Sequence, residues 1–220
     1  PLEANQVIQA GTDAAHEAIG TVNTVSGMAF VIRVDGSREE VDIDTVLYAG
    51  DIIETTAHGA VGFILADETT VAMVADGRMV LDEMIYDPGT QSGKSAIGLT
   101  SGVFTFVSGQ IAKTDVEAMT ITTPVAVIGI RGTAGGGKAA TEGNPNTFTM
   151  FSDPGGGTGE MTITTLGGAQ TLSTANQTTQ ISSAYVPPTI PVTLPASAVA
   201  RFYANARAVA PPPPTSPGVT

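Results

Sequence analysis

The chain has no cysteine and no tryptophan, and over its 220 residues it carries only 9 Lys and Arg against 21 Asp and Glu. The missing cysteine excludes disulfides, Cys-ligated zinc and thiol catalysis together. A formal net charge of -12 leaves no electrostatic footprint for a phosphate backbone, which is held by clustered Lys and Arg, so nucleic acid is not an expected partner. The same charge disfavours an anionic membrane surface. No apolar run approaches the roughly 18 residues of a membrane span, and no basic-then-apolar start resembles a signal peptide, so direct membrane insertion by this sequence is not expected. Histidine is nearly absent too. His16 and His58 stand apart from each other and from any carboxylate at ligand spacing, so neither a metal site nor metal catalysis is expected.

What is present is Val, Ile, Ala and Leu in short runs between Gly and Thr, the composition of a β protein. Residues 1–20 read as a flexible leader or a short helix around Asp13 to Ile19. Residues 21–183 read as one all-β domain. Its first segments are Val22 to Val25, Met28 to Val34, a turn at Asp35-Gly36, then Glu40 to Ile43. Gly50 to Thr55, Ala60 to Leu65, a turn at Ala66 to Glu68, Thr70 to Val74, a turn at Asp76-Gly77 and Arg78 to Ile85 continue the pattern. The apolar stretches Ala96 to Val107 and Met119 to Ile130 contain glycines that predict bends or close backbone packing. Asn146 to Phe151 and Gly159 to Leu166 are expected to form a hairpin, and Ala169 to Ile181 to extend it. Residues 184–194 form a proline-punctuated connector. Pro195 opens a helix over 195–208, with Val199, Phe202, Tyr203 and Ala206 on one face, expected to cap an end or edge of the β structure. Residues 209–220 form a proline-rich linker. A start at Pro1 without Met and this trailing tract point to a processed protein or a segment of a longer one.

Three ordered segments carry a family resemblance. They are Gly50-Asp51-Ile52-Ile53-Glu54-Thr55; Gly59 to Asp67 with Thr70-Val71; and Ile121-Thr122-Thr123-Pro124-Val125-Ala126-Val127-Ile128-Gly129-Ile130-Arg131-Gly132-Thr133. Together they resemble the FecR domain, whose pattern is a G-D-x-I-x-T strand, an A-x-x-x-L-x-D-G-T hairpin and a T-P-x-x-x-x-x-R-G-T strand. The resemblance spans about Val22 to Leu172 and marks Gly50, Asp51, Thr55, Asp67, Thr123, Pro124, Arg131, Gly132 and Thr133 as family positions of structural character. One departure, Glu68-Thr69 where a Gly is usual, should alter that turn. The resemblance implies an all-β solenoid, roll or sandwich of short strands and hairpins with one C-terminal helix. It also implies action through protein contacts in the periplasm or beyond.

Two branches of that family are open. Arg78 to Pro88, Phe104 to Lys113 and the proline tract are similar to modules near the start of long secreted, adhesin-like proteins. That implies a non-catalytic role in assembly, retention or partner binding, in a secreted or cell-surface setting. The alternative is the periplasmic sensor of an anti-sigma regulator, which follows a sigma-binding segment and a membrane helix.

Candidate chemistry is thin, and no catalytic residue, cofactor site or metal ligand is assigned. Gly132 to Lys138 satisfies G-x-x-x-x-G-K, but Ala139 stands where a phosphate-binding loop needs a hydroxyl, and Thr141 to Asn146 cannot start the required helix. A nucleotide site there is a remote alternative to a mobile surface loop. Gly89 to Ser95 is a second near miss and reads as a turn. Asp76, Asp82, Glu83 and Asp87 match no calcium loop, and on a strand Asp82 and Glu83 point to opposite faces. Arg131 is expected to be a structural fork on carbonyls or a carboxylate, so that Arg131→Ala lowers the melting temperature while Lys138→Ala does not.

Overall fold

The structure is a computed structural model and describes residues 17–115, 117–154 and 159–212. Its strands in chain order are β1 (Ala18–Ser26), β2 (Ala29–Ile32), β3 (Arg38–Glu40), β4 (Val46–Tyr48), β5 (Ile52–Thr55), β6 (Ala60–Leu65), β7 (Thr70–Asp87), β8 (Ser92–Val107), β9 (Met119–Thr122), β10 (Val127–Arg131), β11 (Ala134–Ala139), β12 (Asn146–Phe151), β13 (Glu160–Thr165), β14 (Gly168–Leu172), β15 (Gln177–Ile181) and β16 (Val192–Thr193). Two short helices follow, α1 (Ala196–Phe202) and α2 (Ala204–Val209). The all-β class holds.

One ribbon organises everything. β7 and β8 pair antiparallel almost end to end, and each half of the ribbon seeds its own sheet. On the half at residues 70–74 and 103–107 the order is β4–β1–β6–β7–β8–β11–β12–β15–β16. On the half at residues 78–80 and 95–98 it is β3–β2–β5–β7–β8–β9–β10–β13–β14, with β8 and β9 parallel. We refer to these as the first and second half-sheets.

The halves part at a bulge, and here the sequence expectation needs correction. Asp76-Gly77 does not reverse the chain; β7 runs straight through it. Ala75 and Asp76 take positive φ of 31° and 54°, and Gly102 opposite takes 105°. A positive φ serves a tight hairpin or a bulge equally well, so the local signal was real but its use was different. A Cβ on Gly102 would lie 2.6 Å from the Gly77 Cα, so the ribbon can bend only where two glycines cross.

The half-sheets face each other across one core. Phe63, Met73, Phe104 and Phe148 of the first half join Ile53, Met79, Ile121 and Ile163 of the second in a single buried cluster. A Cβ on Gly135 of β11 would come within 2.3 Å of the Met161 methyl on β13, so the two layers are in contact.

The helices form a third layer. Val199, Tyr203 and Ala206 are buried against the outer face of the first half-sheet, beside Ala134 and Phe151 on one side and Ala60 and Val74 on the other. The expected single helix is interrupted at Tyr203, and Phe202 is half exposed rather than packed. The segment covers a sheet face, not an edge.

Other expectations are also revised. Asn146 to Phe151 and Gly159 to Leu166 are not a hairpin: β12 lies between β11 and β15, whereas β13 lies between β10 and β14 in the opposite half. The expected leader 1–20 gives way to strand at Ala18, and the helix suggested around Asp13 lies largely outside the described residues. The expected connector 184–194 contributes β16 to the sheet edge. The hairpins at Asp35-Gly36 and Ala66 to Glu68 are as expected.

Candidate functional site

The family positions occupy the joints of this frame. Gly50, at φ 86°, donates its N–H to Leu81 O at 2.7 Å. Asp51 is buried, and its Oδ2 accepts from Tyr48 N at 2.8 Å and from Arg33 Nη1 at 2.7 Å, so one carboxylate ties the β4–β5 turn to the end of β2. Thr55 is buried at the end of β5, and its Oγ1 accepts the Gly77 N–H at 2.9 Å, which satisfies a donor released by the bulge.

Asp67 is the most heavily engaged of them. Fully buried, it accepts from Thr69 N at 3.0 Å, Thr69 Oγ1 at 2.9 Å and Ile111 N at 3.3 Å. These bonds fasten the β6–β7 turn to the short 3-10 turn Ile111–Lys113. Burial pushes its carboxyl above the usual range, against the pull of the Thr69 and Ile111 donors. The neighbouring departure from the family pattern, Glu68, keeps the turn by adopting φ 70°, a left-handed conformation that glycine would take without strain.

Thr123 closes the β9–β10 turn around the exposed Pro124, its Oγ1 accepting from Ala126 N at 3.1 Å. Gly132, at φ 48°, donates to Ala112 O at 2.9 Å. Thr133 is fully buried; its N–H donates to Ser108 Oγ at 2.9 Å and its carbonyl accepts from Ser108 N. Arg131 meets a carboxylate, one of the partners expected for it, at the surface. It is half exposed, pairing with Glu160 at 2.9 Å directly across the β10–β13 ladder. Its strand alternates, and the even positions Ile128 and Ile130 take the core, so Arg131 falls on the solvent side.

The Gly132 to Lys138 segment is not a mobile loop. Ala134–Ala139 is a central strand with β8 on one side and β12 on the other, so its amides belong to sheet ladders and cannot cradle phosphate. Its glycines are there for space. Gly135 and Gly137 lie under Phe106, Phe104 and Phe148 in the core, and Gly136 lies under Tyr203 and Phe151 on the outer face. Among the described residues no group of three or more acidic or imidazole side chains is placed to hold a metal. Glu83 pairs with Lys94 at 3.1 Å, and Asp87 caps its turn by accepting from Gly89 N and Thr90 Oγ1, which hold its carboxyl below the ordinary range. His58 lies in the turn before β6, and His16 lies outside the described residues.

One concavity was not anticipated. A cleft of about 460 Å³ opens between the helical layer and the outer face of the first half-sheet. Its floor is Thr70, Ala72, Thr105 and Ala134, its wall Phe151 and Val199, and its rim includes Arg207, Asn176 and Ser152. The Arg207 guanidinium lies 4.2 Å from the Phe151 ring centroid. The readable trace of this site was the period-2 outer face of β7 and β8, where Thr and Ala replace the Val, Met and Phe of the inner face.

Residues 51–152 match the family model described as FecR protein. Two crystal structures of a protein from Parabacteroides distasonis ATCC 8503, provisionally described as an anti-sigma factor, share the fold, with TM-scores of 0.52 and 0.51 at 14% and 16% identity. The alignment covers 69% of this chain and 63% of those chains, so this chain spans less than two thirds of the length of the proteins it resembles. No curated protein matches it. Among the described residues no helix is long and apolar enough to cross a membrane. The half-sheets continue without a break on both sides of the matched span, and residues 51–152 of this chain are similar to the FecR domain.

Proposed function

We propose that this chain is the periplasmic, protein-binding sensor portion of a FecR-type regulator and that it works by contact rather than by catalysis. The observation that carries this reading is the FecR match over residues 51–152, whose family positions Asp51, Thr55, Asp67 and Thr123 are spent on backbone groups of the frame, while the Thr133 N–H is held by Ser108 Oγ. A frame held in this way presents surface. The resemblance in fold to proteins described as anti-sigma factors favours the sensor branch over the secreted, adhesin-like module.

A contact surface is available at the far end of the second half-sheet. Leu166 and Tyr185 are 79% and 74% exposed, on two segments tied together by Leu166 N donating to Ala184 O at 2.8 Å and Thr165 Oγ1 to Val186 O at 2.8 Å. Large apolar side chains fixed in water at a rigid site are characteristic of partner surfaces.

The test is genetic and then functional. The gene upstream of residue 1 is expected to encode a sigma-binding segment and a membrane helix, and the double variant Leu166→Asp/Tyr185→Asp to abolish induction of the sigma-dependent promoter at unchanged protein level. Repeats downstream with no such upstream segments, or full induction by the double variant, would overturn the reading.

A further inference from the structure

We infer that the cleft beneath α1 and α2 is a binding site for a small organic carboxylate with an apolar body. This inference is independent of the partner surface described above and would stand if that surface were elsewhere.

Two buried hydroxyls carry the argument. Thr70 is 2% exposed and Thr105 5% exposed, and both line the cleft. They lie on the outer face of the ribbon, since their neighbours Val71, Phe104 and Phe106 turn into the core between the half-sheets. Neither hydroxyl is sealed from solvent without a partner, a condition that among the described residues holds for Ser95 Oγ alone; both are polar points on the cleft lining. On the same face Thr149 and Thr178 bond each other at 3.0 Å. Thr70 and Thr105 give the cleft floor two hydroxyls that a ligand can reach.

The charge above them selects the ligand. Residues 196–209 contain Arg201 and Arg207 and no acid, in a chain whose formal net charge is -12. Arg207 is held at the rim by the Phe151 ring, which pre-orders its fork for a carboxylate. Asp153, next to Ser152, is already engaged in an interaction of its own. Between the hydroxyls and the guanidinium, the lining is Ala72, Ala134, Phe151 and Val199, which suits an aliphatic or aromatic body and gives no second charge a partner.

The probe is 4-phenylbutyrate, with neutral 4-phenylbutyramide as control, titrated into the whole chain carrying labelled alanine methyls and followed by NMR and calorimetry. Saturable shifts are expected at Ala72, Ala134 and Ala200, with the millimolar affinity typical of a ligand this small. The amide should bind about tenfold more weakly, and Arg207→Gln should weaken the acid by about the same factor. Thr105→Val, which keeps the shape and removes the hydroxyl, should weaken both probes. Ala200→Phe, at an exposed rim position, should block the cleft without touching the core. Absence of shifts in folded protein, equal binding of acid and amide, or binding unaffected by Arg207→Gln would each overturn the inference.

Discussion

The Tyr203 hydroxyl donates to Thr149 Oγ1 at 3.0 Å, a bond that fastens the helical layer to the centre of the first half-sheet. The ring lies over Gly136 and meets Phe151 edge to face with centroids 5.0 Å apart. Thr149 is bonded in turn to Thr178, so one phenol closes a chain of hydroxyls running from β15 through β12 to the helix.

Removing that anchor should be graded. Tyr203→Phe deletes one buried hydrogen bond and should cost about 1 kcal/mol, while Tyr203→Ala opens a cavity and should cost about 3–5 kcal/mol. Gly136→Ala should cost roughly 1–3 kcal/mol by overpacking, because its Cβ would lie 2.9 Å from the Tyr203 ring and 2.7 Å from Phe104 O. Urea unfolding of the three variants checks the order.

The same residue gives an alkaline signature. Burial, opposed by the Thr149 bond and by Arg207, pushes the phenol up to about 12 from its ordinary 10.0. The unfolded chain releases this proton first, so the stabilising contribution is complete below 10 and is lost as the pH rises to 12. Wild type should therefore lose more stability across this window than Tyr203→Phe, by up to roughly 3 kcal/mol. Parallel pH profiles for the two proteins would contradict it.

Thr55→Val keeps the shape of the side chain but leaves the Gly77 N–H buried without its acceptor. A loss of about 1–3 kcal/mol is expected in chemical denaturation, and amide exchange at Gly77 should accelerate more than at the ladder amides of β5.

Glu68→Gly should stabilise the protein by about 1 kcal/mol, since it relieves a left-handed residue and gives up only the exposed bond from Gln110 Nε2. A fall in melting temperature would show that the Gln110 contact outweighs the backbone.

Arg131→Ala should shift stability by no more than about 1 kcal/mol, because the pair with Glu160 is solvent-exposed and screened. Lys138→Ala should change little as well. Thermal melts of the two variants are thus expected to be similar, in contrast to the larger effect for Arg131 inferred from the sequence.

Strand content, the hairpins at Asp35-Gly36 and Ala66 to Glu68, and the amphipathic face Val199, Tyr203, Ala206 were legible because each depends on residues close in sequence. The errors share one cause. Asp76-Gly77 marks where positive φ is cheap but not whether the chain reverses there; that is decided by Gly102, a quarter of a hundred residues away, crossing beneath it. Gly135, Gly136 and Gly137 resemble a loop until the rings of Phe104, Phe148 and Tyr203 are placed against them. The joints at Asp51, Asp67 and Thr133 were legible as positions through the family pattern, whereas their hydrogen-bond partners were not. The cleft escaped notice because Thr70 and Thr105 become neighbours only when β7 and β8 pair.

Rooting both half-sheets in the same two strands leaves the domain without a seam along which it could open into lobes. Melting either side strips a neighbour from the ribbon on which the other is built, so the module is whole or it is lost.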